Sequence, residues 1–346
     1  MQNIYSKLND YLNDICVYLQ EENSILLDNM PTIILWNDTF LKDIQKYHFN
    51  IELKENHLTY EDVFLIAREI IATISKSYLK SFDNLISSGE LDFSYEQSYT
   101  DSNCQIIYNQ DQIHQSININ REFNCNDVIT LIHEFIHYTN TNIKEISDTQ
   151  NYLEEFLSIY FELYSVDFLI KKGILESNDF KRILITKKHA STFCNYEIPL
   201  LSFIYFGPIN NDTPSLLHQY FPEIKTTYFK KECMNLYTDL NLIEQKYQIE
   251  IAKNPNLRGK FLSEEFITKN YKYVLGALLA IYALKYSKIE DMVSLNNQIH
   301  EYTFMNASDI LKKVGIDITK NNFYIELFQT LKIYLNKDYE LSLHIP

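Results

Sequence analysis

The stretch that decides the fold is NDVITLIHEFIH, residues 126–137. Apolar residues recur in it at helical spacing, which predicts a helix with one buried face. His133 and His137 are one helical turn apart, so both imidazoles can bind the same metal ion. Glu134 lies about 100° around the helix from His133, where it can reach a water at the metal instead of the metal itself. The structural alternative is a buried helix that carries two hydrogen-bonded histidines.

A third ligand must come from elsewhere in the chain, because catalytic zinc usually takes three protein ligands and keeps one position for water. In one common arrangement a Gly and a third His follow His137 at fixed spacings. The chain has Asn140 and Ile143 at those positions, which excludes that arrangement. The other arrangement takes a Glu from a following helix.

Residues 151–168 predict that following helix, and its carboxylates are the candidates for the third ligand. Glu155, Ser158 and Glu162 stand at i, i+3 and i+7, so they share one face over about two turns. Glu154 points about 100° away from that face. Carboxylates on both faces are therefore candidates for the third ligand.

Three motifs together resemble the thimet oligopeptidase and oligopeptidase F family of zinc metallopeptidases, in a shortened form. They are SININ at 116–120, the H-E-x-x-H helix, and E-x-x-S-x-x-x-E at 155–162. The resemblance extends over residues 85–290 and is best over 116–163. The chain departs from the family at Asn140, where a further His is usual.

The resemblance implies which residues form the metal site. In that family the first Glu of the second helix is the metal ligand, which implies one zinc ion per chain, bound by His133, His137 and Glu155. It also implies that Glu162 and Ser158 stand behind the ligands, where Glu162 can orient a ligand imidazole. An ordinary helix carboxylate is the alternative for Glu162.

Two tyrosines near the end of the chain also match a family pattern. The segment from Tyr271 through Tyr273 to Gly276 is similar to the family's Tyr-x-Tyr-x-x-Gly, which implies that one of the tyrosines donates to the oxyanion of the reaction. Tyr273 is slightly favoured because it is nearer Gly276, where the backbone could approach the zinc helix closely. The family's upstream His is missing, and Ser263 stands roughly there. With 27 tyrosines in the chain, core or surface packing is the alternative for both.

A short strand is predicted just before the zinc helix. Residues 116–120 alternate strictly between polar and apolar side chains, as a half-exposed strand does. A free edge there could pair with the extended backbone of a substrate. The candidate substrate-binding residues are Ile117, Asn118, Ile119 and Asn120, and a plain edge strand is the alternative.

The rest of the chain has mostly helical patterns. The predicted elements are, in order, a helix over 3–28, a helix over 63–86 capped by Thr59, strands at 106–108 and 116–120, and helices to the end, the first capped by Asn126 or Asp127. The predicted fold is mainly α, with two helical lobes around a zinc cleft and a small β-sheet preceding the H-E-x-x-H helix. We expect an N-terminal helical region, 1–90, and a catalytic region, 91–346, with its sheet in 91–121 and its helices in 126–346, together forming one compact unit.

Composition indicates which binding partners and which cellular compartment to expect. The net charge of −15 disfavours nucleic acid and anionic lipid as partners. Five widely spaced cysteines fit reduced thiols, and no signal peptide is recognised at the start, so a cytoplasmic location is expected. The longest apolar run, 274–284, is too short to span a bilayer and suits a buried helix.

The function predicted from these patterns is a zinc-dependent endopeptidase that acts on peptide substrates. Glu134 would serve as the general base that activates water for attack on the peptide bond. Two alternatives remain open: a toxin-like metalloprotease with one protein target, and a non-catalytic helical binding protein that retains the metal motif. The sequence leaves the oligomeric state, the cleavage specificity and the biological substrate open.

Overall fold

A computed structural model provides the structure of the chain. The residues that it describes are 2–21, 57–93, 102–109, 112–140, 151–176, 179, 198–200, 202–204, 206–220, 226–299, 307–318, 320, 323, 326–327 and 329–330. In 2–3, 21, 105–109, 112–115, 151–152, 220, 267–272, 274–275 and 307, only the backbone is described.

The described elements are mostly helices. In chain order they are α1 (Gln2–Glu21), α2 (Tyr60–Ile74), α3 (Lys76–Ser88), β1 (Leu91–Asp92), β2 (Asn103–Asn109), β3 (Gln112–Asn118), α4 (Cys125–Asn140), α5 (Asn151–Lys171), α6 (Thr213–Tyr220), α7 (Thr226–Lys246), α8 (Gln248–Lys253), α9 (Leu257–Leu262), a π-helical segment (Ser263–Thr268), α10 (Lys269–Tyr286), α11 (Ile289–Gln298) and α12 (Ala307–Lys313). The predicted mainly α fold with a small sheet before the H-E-x-x-H helix, α4, is confirmed.

The chain divides into two compact units, and each is made of two separate parts of the sequence. Unit 1 consists of residues 1–48 and 188–274, and unit 2 of residues 49–187 and 275–346. These boundaries differ from the division at residue 90 expected from the sequence. The assignment of 1–90 and 91–346 as two functional regions stays a prediction. The boundary at 274 falls inside α10, so this helix belongs to both units.

Unit 2 contains the sheet, in which β3 is the central strand. The strand order is β1-β3-β2, with β1 parallel and β2 antiparallel to β3. The N–H groups of Ile117 and Ile119 donate to the carbonyls of Glu90 and Asp92 on the β1 side. The prediction that 116–120 offers a free edge is therefore wrong for the described sheet, in which β1 and β2 are the outer strands and β2 lies against α4.

Helices α4 and α5 pack against each other at the centre of unit 2. The buried side of α4 includes Val128, Ile132 and Phe135. Helix α5 is buried almost all round from Leu153 to Leu169, which is typical of a helix in the middle of a core. Carboxylates on α5 are therefore held out of water, and each needs a partner.

The start of α4 is fixed by polar contacts just before it. The Asn124 side chain accepts the backbone N–H of Asn126 at 2.7 Å, which makes Asn124 the capping residue instead of Asn126 or Asp127. Asp127 points back and accepts the N–H groups of Glu122 and Phe123 at 2.7 and 3.1 Å. The predicted caps are therefore wrong by a few positions, because the carboxylate serves the preceding turn and not the helix.

Two of the predicted N-terminal helices need comment. Thr59 caps α2 as predicted, in a capping box with Asp62. The predicted continuous helix over 63–86 is wrong, because Ser75 is extended (φ −163°, ψ 140°) and separates α2 from α3. Its side chain accepts the N–H of Ser77 and so begins α3. Helix α1 matches the predicted first helix to residue 21, and the remainder of that prediction lies outside the described residues.

Polar contacts of α1 hold unit 1 together. Tyr11 donates to Glu244 on α7 at 2.7 Å, and Asp14 pairs with Arg258 on α9.

In unit 2, residues 278–284 of α10 are buried, as predicted for the apolar run. Among the described helices, none is both long enough and apolar enough to cross a bilayer.

Candidate metal centre

The two histidines of α4 face each other from successive turns. Their Nε2 atoms are 3.1 Å apart, and their side chains are 12% and 19% exposed for His133 and His137. Two neutral imidazoles this close cannot both direct a lone pair at the same point without a proton or a cation between them. The pair can therefore share a hydrogen-bonded proton or bind a metal ion.

Glu155 on α5 completes a triangle with these histidines. Its Oε2 lies 3.6 Å from the Nε2 of His133 and 3.8 Å from the Nε2 of His137, and the carboxylate is buried. One ligand atom from each residue can be chosen so that all lie within 4.8 Å of one another. Tetrahedral ligands at about 2.0–2.2 Å from zinc are about 3.3–3.6 Å apart, so the three donors fit a zinc ion.

Glu162, two turns further along α5, supports this triangle from behind. Its Oε1 lies 2.7 Å from the Nδ1 of His133. A carboxylate this close favours the tautomer with the proton on Nδ1, in which Nε2 is available to bind a metal. Ser158, on the same face, is fully buried, and its hydroxyl makes no hydrogen bond to the described residues.

Charge and burial oppose each other at His133. Burial lowers its pKa, but the carboxylates of Glu162, Glu134 and Glu155 outweigh burial and leave the pKa above its ordinary value. A cluster of acids around buried imidazoles therefore stabilises positive charge at this point, whether that charge is a proton or a metal ion.

Glu134 is a buried carboxyl with a pKa near neutrality. Burial raises its pKa to about 7; His133 lowers it, and the charges of Glu155 and Glu162 raise it. The backbone N–H of Cys104, on β2, donates to this carboxylate. A carboxyl with such a pKa can both accept and release a proton near pH 7, which is the property a general base and acid needs.

Glu154, the residue before Glu155 on α5, is not part of the group of possible metal ligands found among the described residues. Its charge acts instead on Cys104: burial raises the pKa of that thiol to about 12, with further contributions from Glu134 and Glu154. The two adjacent carboxylates of α5 therefore serve different surroundings, as the helical spacing predicts.

Strand β2 brings its outer backbone edge to Glu134. Cys104 pairs with Ile117, whose N–H is directed to the β1 side, so the two form a pair without mutual hydrogen bonds. The N–H of Cys104 therefore points away from β3, towards Glu134. Cys104 could not be identified as a site residue from the sequence. Strand pairing decides which backbone groups face outward, and no local sequence pattern indicates that pairing.

The other predicted site residues are placed as follows. Ile117 and Ile119 are fully buried, and Asn118 donates to the Asn103 side chain at 3.3 Å. The N–H of Asn120 donates to the hydroxyl of Ser102. The pairing of β3 on both sides and the bond from Asn120 use main-chain groups that an incoming strand would need.

The two tyrosines lie on α10 in unit 1, whereas the metal-ligand group lies in unit 2. Tyr273 is half-exposed, and the side chain of Tyr271 lies outside the described residues. That one of them serves the oxyanion stays a prediction.

Comparison with solved structures shows that the mainly α fold of the chain is similar to that of a known structure. The chain is similar to the crystal structure of a candidate peptidase from Chlamydophila abortus, with a TM-score of 0.62 and 13% sequence identity over 96% of this chain. The match covers 60% of that protein, so this chain spans well under two thirds of its length.

A crystal structure of a candidate oligoendopeptidase F from Bacillus anthracis str. Ames also matches. Its TM-score is 0.49 at 14% identity, over 93% of this chain and 56% of that chain. No protein-family profile matches the sequence, and no curated protein matches it.

Proposed function

We propose that the chain is a zinc-dependent endopeptidase. The observation that carries this proposal is the triangle of His133, His137 and Glu155, at 3.1–3.8 Å between ligand atoms, with the carboxyl of Glu134 adjacent in sequence to its first member. Two imidazoles and one carboxylate are the ligand set of many catalytic zinc sites, and they leave a fourth position open. Fold similarity to a candidate peptidase supports the same class.

The protein's own residues divide the chemistry between them. Zinc in this triangle would lower the pKa of water and polarise the carbonyl of the peptide bond. Glu134 accepts a proton as the water oxygen bonds to the carbonyl carbon. It then gives that proton to the nitrogen as the carbon–nitrogen bond breaks. Glu162 keeps the proton of His133 on Nδ1 throughout.

The substrate is proposed to bind as an extended strand along β2. The N–H of Cys104 faces away from β3 and donates to Glu134, so the outer edge of β2 runs beside the proposed base. Extended peptides commonly add to such an edge through main-chain hydrogen bonds, which read little of the side-chain sequence. Tyr273 or Tyr271 is proposed to donate to the oxyanion, as the family resemblance implies.

Replacing the proposed base tests this function. Glu134→Gln should keep zinc at about one ion per chain and lose about 100- to 10,000-fold in turnover, the usual contribution of a general base. Zinc is measured by elemental analysis, and cleavage of a mixed peptide library by mass spectrometry. Glu232→Gln is the matched control, because Glu232 is an equally buried carboxyl on α7 in unit 1.

Each outcome separates the proposal from its alternatives. Full activity in Glu134→Gln would remove Glu134 from the mechanism. A wild-type protein that holds zinc and cuts no peptide in the library would favour a protease for one protein target or a non-catalytic binding protein. A wild-type protein without affinity for zinc would overturn the metal centre itself.

A further inference from the structure

Helix α10 approaches the backbone of α5 closely at Gly276. A Cβ atom built on this glycine would lie 2.9 Å from the backbone nitrogen of Phe156, 3.1 Å from the carbonyl carbon of Glu155 and 3.2 Å from the Cβ of Glu155. Carbon atoms in contact prefer about 3.5–4.0 Å, so any side chain here would overlap with α5. Sequence reasoning expected a close approach at Gly276 to the zinc helix, and the structure places it on α5 instead.

We infer that Gly276 is a positioning residue for Glu155, an inference that rests on the proposed zinc centre. Two of the three closest atoms belong to Glu155 itself, including the Cβ from which its side chain extends. The carboxylate of that side chain lies 3.6–3.8 Å from the two imidazoles. The absence of a side chain at Gly276 therefore sets how far Glu155 reaches towards the histidines.

The packing of both helices leaves little room to absorb an added methyl group. On α10, Leu279 and Ala280 are fully buried one turn after the contact. On α5, Phe156 and Leu157 are fully buried next to the contact. Close-packed helices transmit a displacement to their neighbours, and metal ligands tolerate only about 0.2 Å of error in distance. A shift of α5 by a few tenths of an ångström is therefore enough to weaken the site.

The direction in which Gly276→Ala changes the protein distinguishes a positioning role for Gly276 from that of an ordinary helix residue. Alanine is a better helix former than glycine, so Gly276→Ala would stabilise α10 if the contact with α5 were unimportant. Weakened metal binding with all three ligands intact is the result that only the contact explains.

The experiment compares Gly276→Ala with two control variants. Gly259→Ala adds the same methyl group at another tight contact, against the backbone carbonyl of Asp14, but in unit 1. Leu279→Ala opens a cavity in α10 without adding an atom near Glu155. Zinc affinity is measured by competition with a chromophoric chelator, and coordination by the visible spectrum of the Co²⁺-loaded protein.

We expect Gly276→Ala to bind zinc about tenfold or more weakly and to change the Co²⁺ spectrum, a loss within the range for residues that orient metal ligands. Both controls should stay within about twofold of wild type and keep its Co²⁺ spectrum. If Gly276→Ala is unfolded without metal, the zinc concentration that folds it is compared with that for Leu279→Ala, since zinc binding and folding are linked.

Wild-type affinity and an unchanged Co²⁺ spectrum in Gly276→Ala would overturn the positioning role and leave the zinc centre intact. A zinc requirement for folding no greater than that of Leu279→Ala would overturn it as well. Failure of the wild-type protein to bind zinc would instead reject the proposed function, so the two failures are distinguishable.

Discussion

At the scale of single residues, Glu154 and Glu155 are neighbours whose carboxylates have different surroundings. Glu155 lies 3.6–3.8 Å from the two imidazoles, whereas the charge of Glu154 acts on Cys104. Glu155→Gln should therefore weaken zinc binding by about 100-fold or more, because it removes an anionic ligand. Glu154→Gln, the matched control, should change zinc affinity by less than about threefold. Chelator competition measures both, and the opposite ranking would move the ligand to Glu154.

Glu162 allows a second test at this scale, because it contacts a proposed ligand without being one. Its carboxylate lies 2.7 Å from the Nδ1 of His133, so Glu162→Gln removes the charge that holds the Nδ1 proton. We expect zinc affinity to fall about 10-fold, the lower end for groups that orient metal ligands. Asp167→Asn is the control, since Asp167 is buried on the same helix but pairs with Lys171. Equal effects of the two changes would indicate general loss of charge and no orienting role.

At the scale of elements, the junction of β3 and α4 depends on a buried ion pair. Arg121 and Asp127 are 3.1 Å apart with side chains 2% and 1% exposed, and the Arg121 guanidinium lies over the rings of Tyr60 and Phe123. Arg121→Met would leave the carboxylate of Asp127 buried without its cation. We expect the free energy of unfolding to fall by about 3–5 kcal/mol, measured by urea denaturation.

An exposed pair on the same unit provides the control for that experiment. Arg68 and Asp83 join α2 to α3 with two hydrogen bonds, but both side chains are largely in solvent. Arg68→Met should therefore cost much less stability than Arg121→Met, because water replaces the lost partner. Similar losses in the two variants would show that burial does not set the contribution of the junction.

At the scale of the whole molecule, the three proposed metal ligands all belong to unit 2. A ligand that binds only the folded state stabilises the part of the structure that holds it. Removing zinc with a chelator should thus raise amide hydrogen exchange in α4 and α5 by about tenfold or more. Helix α7, in unit 1, is the internal control and should change little. Equal increases in all three helices, measured by mass spectrometry, would contradict a site confined to unit 2.

The local features of the site were predictable because they depend on helical spacing. His133 and His137 share a face whatever the rest of the chain does, and Glu155 and Glu162 share another. The cap at Thr59 was predictable for the same reason, since a capping box spans only one turn. The break at Ser75 was not predicted, because the residues on both sides of it suit one continuous helix. The extended backbone of this single residue interrupts that helix.

The sequence by itself determined which residues can bind a metal and that most of the chain is helical, because both follow from periodicity within a few turns. Only the tertiary structure decided that β3 is central and β2 is the edge, since strand order depends on partners distant in sequence. It also decided that residues 49–187 fold with residues 275–346, and that Gly276 packs on Glu155. Contacts between distant segments are set by the burial of whole faces, which no short stretch of sequence contains.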